Sequence, residues 1–285
     1  MSLHAELSAT PGITTRWQPP LLVKASVAWH VGAGVAAAAL PIEWPWAAGA
    51  VALNHALLTA TGLWPRSTWL GSNWVRLPAA AIARREVAIT IDDGPDPEVT
   101  PAVLDLLDAH GARATFFCIA AQAERHGALV REIVARGHDV QNHSHAHRHT
   151  FSLMGPRGFA AEIARAQDTL AALTGRAPIA FRAPAGLRNP FLDPVLHRLG
   201  LTLCSWTRRG FDTRERDPQR VLQRLTKGLA AGDILLLHDG NCARDAQDRP
   251  VVLTVLPALL AELRRQRLVP VTLPQAVSTP RSSAP

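Results

Sequence analysis

Three groups of residues in this chain have types and spacings that could do chemistry. Asp92 and Asp93 stand side by side between an apolar run, 87–91, and a Gly-Pro pair. Asp and Gly disfavour strand continuation, so the chain turns there and leaves both acids at a strand end. Neighbouring strand residues point to opposite sides, so the two acids need not share one task. Residues 142–149 read N-H-S-H-A-H-R-H. Within them His143 and His147 are four apart, which brings two imidazoles together if the segment forms one helical turn. Two histidines, one carboxylate and open positions for water make a catalytic zinc-type set, and Asp93 is the carboxylate at hand. The plainer readings are an acidic turn, a solvated His-rich loop or an adventitious metal site. Lastly, His238 ends the run L-L-L-H-D, where a lone ring is more often packed core than catalyst.

The elements that must position these groups alternate. Apolar runs at 87–91, 114–119, 138–142, 179–182, 201–205, 234–237 and 268–273 read as strands, with helical stretches between them. The first helix is expected from Thr100 as N-cap, with Pro101 at its first position and Gly111 as its stop. One helix should run from the second strand to Arg136, and others at 159–173, 190–199, 217–230 and 251–266. Strands joined by helical crossovers predict a parallel sheet and an α/β fold. Seven units are too few for a full eight-fold barrel, so a distorted or incomplete (β/α) barrel of about seven parallel strands is expected. An open doubly wound sheet is the runner-up, without the G-x-G-x-x-G turn that would support it. On this frame the polar residues fall into place. Asp92 and Asp93 follow the first strand, His143 and His147 the third, and Arg182 ends the fourth. Trp206 and Asp212 follow the fifth, and His238 ends the sixth. All stand at carboxyl ends of parallel strands, the face on which barrels build active sites.

Of the 285 residues, 47% are hydrophobic and 19% charged, so the chain has much to bury. The net charge of +7 is scattered over predicted helices, Tyr is absent, and Trp concentrates in the first quarter. A nucleic-acid binder would show a dense basic stripe with interleaved aromatics, so no nucleic-acid partner is expected. Cys118, Cys204 and Cys242 form no C-x-x-C pair, which argues against a disulfide framework.

Residues 1–20 are polar and Pro-rich, unlike a cleavable signal peptide. An Ala/Val/Gly-rich run at 25–40 and an uncharged run at 46–64 follow, with Trp44, Trp46, Trp64 and Trp69 around the second. These lengths and interfacial aromatics predict a two-helix membrane hairpin within 21–77. The first run is the weaker span, because alanine contributes little to insertion. Helices buried on the soluble domain, or lying in the interface, are the alternative. Arg16 and Lys24 precede the hairpin, Arg66, Arg76, Arg84 and Arg85 follow it, and its turn carries no basic residue. That asymmetry puts both ends, and the large domain, on the cytoplasmic side of the inner membrane. The Pro/Ser-rich end, 278–285, reads as a disordered tail.

With these motifs in order, the stretch from about 85 to 273 resembles the polysaccharide deacetylases of the NodB-homology type, which include chitin and peptidoglycan deacetylases. T-I-D-D-G-P resembles the family's T-F-D-D-G-P, which implies Asp92 as catalytic base and Asp93 as metal ligand. H-S-H-A-H resembles H-[ST]-x-x-H, implying His143 and His147 as the other ligands. R-A-P-A-G resembles R-x-P-[YF]-G, implying that Arg182 orients the base. Ala185 stands where the family has an aromatic whose backbone N–H is the oxyanion donor. L-L-H-D resembles the last motif, implying His238 as general acid and Leu236 as lining of an acetyl pocket. The usual D-x-x-D-W is absent; W-T-R-R-G-F-D-T stands there instead, and Trp206 is assigned to the groove and Asp212 to tuning His238.

The resemblance implies a catalytic domain over 85–275 and a divalent metal, zinc first, with cobalt, nickel or manganese also fitting. The implied reaction removes the N-acetyl group from an amino sugar in a glycan or glycolipid and releases acetate. With a membrane hairpin attached, a deacetylase or deformylase of a polyprenyl-linked amino sugar is the first alternative. A catalytically silent, membrane-anchored glycan-binding module is the second, and five filled catalytic positions argue against it. A metal-dependent phosphodiesterase is disfavoured by the single cluster of ligands.

Overall fold

The computed structural model describes residues 16–40, 42 and 44–278. The expected tail beyond 278, and the polar start before residue 16, lie outside the described residues.

Two helices come first, α1 (Leu21–Ala39) and α2 (Trp44–Gly62). Their apolar residues are spread all round rather than along one stripe, so neither offers a single face to a core. Their buried contact with each other is polar: Asn54 Nδ2 donates to Ser26 Oγ at 2.8 Å, while His30 and His55 meet at the exposed side with Nε2 atoms 3.2 Å apart. Among the described residues, α1 alone is long and apolar enough to cross a membrane. This reverses the expected ranking of the two runs. α1 adds Leu and Val to its alanines and holds one charge, Lys24, whereas Asn54, His55, Pro45 and two Trp dilute α2.

Both open ends of the pair rest on the domain that follows. Trp17 Nε1 donates to Asp193 Oδ2 at 2.7 Å, and the Arg188 N–H to the Gly62 carbonyl at 3.2 Å. A Cβ at Gly62 would come within 2.1 Å of the Arg188 carbonyl oxygen, so only glycine fits there. Residues 63–78 then lie along the sheet. The Trp74 N–H donates to the Leu203 carbonyl at 2.8 Å, and the Ser205 N–H to the Trp74 carbonyl at 2.9 Å. The expected end of the hairpin, residue 77, thus falls inside a segment docked on the large domain.

After α3 (Ala79–Ala83) the alternation begins, with β1 (Glu86–Asp92), α4 (Val99–Ala109), β2 (Thr115–Cys118), α5 (Ala120–Arg125), α6 (Gly127–Ala135) and β3 (Asp139–Asn142). It continues through α7 (Pro156–Thr174), β4 (Ala180–Phe181), α8 (Leu192–Arg198), β5 (Thr202–Leu203) and β6 (Arg208–Arg209). It closes with α9 (Pro218–Thr226), β7 (Ile234–His238), α10 (Val251–Arg265), β8 (Val269–Val271) and α11 (Leu273–Val277). The strand order is β5-β4-β3-β2-β1-β7-β6, parallel throughout, with β8 paired to the start of β1. The path has two free ends, so the barrel is incomplete, as expected.

β1 shows how the two sides of the sheet differ. Val87, Ile89 and Ile91 alternate onto one face and join the cluster that holds Val103 and Leu107 of α4 and Val255 and Leu259 of α10. Each is fully buried, worth about 1.5–3 kcal/mol relative to exposure. Ala88, Thr90 and Asp92 take the inner face, which therefore turns from apolar to ionic along the strand. At its floor Ala88 meets the cluster of Phe117, Trp206 and Leu236.

Three local expectations differ from the structure. β6 has only two residues, too few to show a period, and exists through its pairing with Leu235 and Leu236 of β7. The helix expected up to Arg136 breaks at His126, whose φ of −120° and ψ of 42° separate α5 from α6. Thr100 lies inside α4 rather than capping it. Its hydroxyl donates to Asp239 Oδ2 and accepts from the Asp96 N–H at 2.8 Å, while Asp96 Oδ1 takes the N–H groups of Glu98 and Val99. Asp217 does cap α9, accepting from the Gln219 N–H at 2.9 Å.

Candidate active site

β1 ends at Asp92 because Asp93 takes φ 76°, in the left-handed region. That turn brings the Asp93 carboxylate back to the rim of the barrel, so both acids reach one groove. Asp92 Oδ1 accepts from Arg182 Nη1 at 2.6 Å. Arg182, 1% exposed, spends its other donors on Thr90 Oγ1 at 2.8 Å, the Cys204 carbonyl at 3.1 Å and the Ser205 carbonyl at 2.8 Å. Its guanidinium lies 4.0 Å from the centre of the Phe117 ring. A buried charge is tolerated only when paired and fully hydrogen-bonded, and among the described residues Asp92 is the one ionic partner within reach. Asp92 Oδ2 is left on the groove side, 3.9 Å from His143 Nε2.

Beside it, Asp93 Oδ1 lies 3.2 Å from Nε2 of both His143 and His147. The histidines do not form a helical turn. Their loop is folded by left-handed residues at Ser144 (φ 66°) and His147 (φ 49°), and the rings still meet with centroids 4.8 Å apart. His143 Nδ1 is 2.8 Å from the Arg182 carbonyl. That acceptor fixes the proton on Nδ1 and turns the Nε2 lone pair toward Asp93, the arrangement of a metal-ligating histidine. Asn241 Nδ2 donates to the other Asp93 oxygen at 3.2 Å.

The cluster draws positive charge. Burial acts to raise the Asp93 pKa, but His143, His238 and His147 outweigh it and hold the carboxyl well below the usual range. Burial acts to lower His143, and the charges of Asp92 and Asp93 raise it on balance. Burial, followed by the charge of His143, holds His147 down at about 4. Asp93 Oδ1 is buried without a hydrogen-bond donor, and the three ligand atoms lie within 4.8 Å of one another. An N,N,O set with room for further ligands fits a zinc-type divalent cation.

Across the groove, His238 ends β7. Its Nδ1 lies 2.8 Å from Asp212 Oδ1, and its own N–H donates to Asp212 Oδ2 at 2.7 Å. Asp212 is completely buried and spends both oxygens on this one residue. Burial acts to lower the His238 pKa, but Asp212, through charge and hydrogen bond, and then Asp92 and Asp93 raise it to about 9. The ring is therefore cationic at neutral pH, with Nδ1 committed and Nε2 available.

Ala185 forms the third wall, at φ 55°. The hydrogen bonds of its turn run from Gly186 to Ala183 and from Leu187 to Pro184, and the Ala185 N–H takes part in neither. Trp206 and Leu236 close the floor. The groove holds about 380 Å³. Of the ten expected site residues, Asp92, Asp93, His143, His147, Ala185, Trp206, Leu236 and His238 line it. Arg182 and Asp212 stand behind, bonded to Asp92 and His238.

Sequence reasoning passed over Thr90, Ser205, Asn241 and Arg209. Thr90 could have been found, since it precedes Asp92 by two and so shares its face. Asn241 sits two residues past the H-D pair, at φ 55°. Nothing in the sequence links Ser205, which acts through its carbonyl, to Arg182.

The family model described as polysaccharide deacetylase matches residues 80–204. A peptidoglycan-N-acetylglucosamine deacetylase from Bacillus cereus is 32% identical over 182 residues, covering 63% of this chain and 82% of that protein. A chitooligosaccharide deacetylase from Sinorhizobium fredii is 30% identical over 205 residues, covering 70% of this chain and 95% of that protein. Among solved structures, a family 4 carbohydrate esterase from Streptomyces lividans in complex with acetate is 31% identical, with a TM-score of 0.58 over 65% of this chain and 91% of that one.

Proposed function

We propose, because this chain belongs to the polysaccharide deacetylase family, that it is a metal-dependent hydrolase of the N-acetyl group of an amino sugar in a glycan or glycolipid. The products are acetate and the free amine. One observation carries the reading: a base fixed by Arg182 and an acid fixed by Asp212 face one groove, on either side of a cluster that draws a cation.

In this reading Asp92 accepts the proton of the attacking water at Oδ2, while Arg182 holds Oδ1 and orients the carboxylate. The Ala185 N–H supports the oxyanion as it develops, and Leu236 bounds the space for the acetyl methyl. His238 gives its Nε2 proton to the departing nitrogen, and Asp212 stabilises the imidazolium until it does. A divalent cation held by Asp93, His143 and His147, zinc first, would polarise the amide carbonyl and acidify the water.

Substrate presentation at a membrane fits the base of the helix pair. The apolar α1 and its antiparallel partner both end on the domain. Pro65, three residues past α2, accepts from Ser205 Oγ at 2.6 Å and closes on the groove beside Gly186. With basic residues at both ends of the pair, the domain belongs on the cytoplasmic side. A lipid-linked amino sugar would meet the groove there.

The test is acetate release by the full chain in detergent, from N-acetylglucosamine oligomers and from a polyprenyl-linked N-acetylhexosamine. Release that stops with chelator, returns with zinc and is lost in His143→Ala is expected. Metal bound without release from either substrate would favour the glycan-binding module.

A further inference from the structure

Arg209 is a cation that the mechanism does not use. It lines the groove with Asp92, Asp93 and His238, and it is half-buried. Its guanidinium stacks between two rings, 5.3 Å from the centre of Trp206 and 5.0 Å from that of Phe211. Stacking orients a guanidinium but satisfies none of its N–H groups. Nε is buried without an acceptor. Among the described residues, no carboxylate lies within ion-pair distance of this side chain; Asp92, Asp212 and Asp93 act on it only at longer range. The neighbouring buried or half-buried arginines are engaged elsewhere, and of those whose Nε lacks an acceptor only Arg209 lines the groove among the described residues. Arg182 pairs with Asp92, and Arg208 with Asp233. Arg188 donates to the Ser67 carbonyl.

A second cation extends the feature. Arg214 lines the same groove, is exposed, and has no ion pair among the described residues. The two guanidinium groups line the groove together with Trp206 and His238, and neither is ion-paired among the described residues. A planar fork stacked in place and short of acceptors is suited to a carboxylate or phosphate taken two oxygens at a time.

Resting on the deacetylase reading, we propose that the substrate is anionic: the amino sugar, or the unit next to it, carries a carboxylate or phosphate that Arg209 binds, with Arg214 assisting. The site then selects charged amino sugars over neutral ones. Both sources of the charge, a sugar carboxylate and a sugar phosphate of the lipid-linked kind, share this chemistry.

The test compares three probes on the full chain in detergent: neutral N-acetylglucosamine, N-acetylmuramic acid for the carboxylate, and N-acetylglucosamine 1-phosphate for the phosphate. Affinity is measured by calorimetry, independently of turnover, and acetate release is measured in parallel. At least one anionic probe should bind about tenfold tighter than the neutral one, and that ratio should fall toward one in Arg209→Gln. Arg209→Lys, which keeps charge without the fork, should fall between. Arg214→Gln, at an exposed position that leaves folding intact, should lower the ratio less. Whichever anion gains more identifies the source. An equal affinity for all three probes, or a ratio untouched by Arg209→Gln and Arg214→Gln, overturns the proposal. Release from the neutral probe with that outcome leaves the deacetylase reading standing. Selective binding of an anion without any release retains the anion site and removes the deacetylase reading instead.

Discussion

In the proposed mechanism His238 is the acid and Asp92 the base of one groove, and each faces an opposite charge. Asp92 faces a permanent cation, Arg182, whereas His238 faces a permanent anion, Asp212. The Asp212 anion favours the charged form of His238, while Arg182 occupies Asp92 Oδ1 and leaves Oδ2 to the groove. With His238 raised to about 9, the acid is present below that pH and lost as pH rises through it. The rate should therefore be flat above neutrality and fall on an alkaline limb at or below pH 9, since a cation bound beside the ring would only lower its pKa. Asp212→Asn removes the charge that raises His238. The limb should move acidward by a pH unit or more, with kcat reduced on the order of tenfold or more. A limb that stays in place in a pH–rate profile of Asp212→Asn would assign it to another group.

At the scale of elements, strand ends make the site, and left-handed turns aim it. Asp93, Ser144, His147, Ala185 and Asn241 all have positive φ. Such positions cost about 1–3 kcal/mol each and persist only where the surroundings hold them. Ala185 tests whether its backbone or its side chain matters. Ala185→Gly relieves the strain but gains freedom in the unfolded chain, so Tm should move little. If the N–H is the working group, kcat should stay within about threefold; a large loss would give the methyl a role of its own.

The strands themselves were legible, because period-two runs such as Val87, Ile89 and Ile91 record a buried face. Their placement in order then put the candidate site at one end of the barrel. What stayed hidden was set by partners distant in sequence. β6 exists only against β7, and the His143–His147 loop takes its shape from hydrogen bonds with the start of α5. Thr100 has the residue type of a cap, yet its hydroxyl is claimed by Asp239, which burial pushes up to about 7.

At the scale of the whole molecule, the N-terminal pair and the barrel are separable in their packing. α1 and α2 leave Val27, Trp29, Val31, Val35 and Leu53 exposed, while residues 63–78 belong to the sheet. A chain starting at Gly62 should fold, remain soluble without detergent, and hydrolyse soluble substrate. It should also leave the membrane fraction, and fractionation of the two chains checks this. A truncated chain that unfolds would make the pair part of the barrel's core.

Asp92 and Asp93 are neighbours that hold different partners, Arg182 on one side and the His143–His147 pair on the other. Asp92→Asn keeps the shape of the side chain and removes its ability to take a proton. The decisive measurement is metal content and acetate release on the same sample of that variant. We expect one divalent ion per chain, as in the unaltered protein, and a loss of release on the order of a thousandfold. Full release with the ion bound, or loss of the ion along with activity, would contradict this expectation.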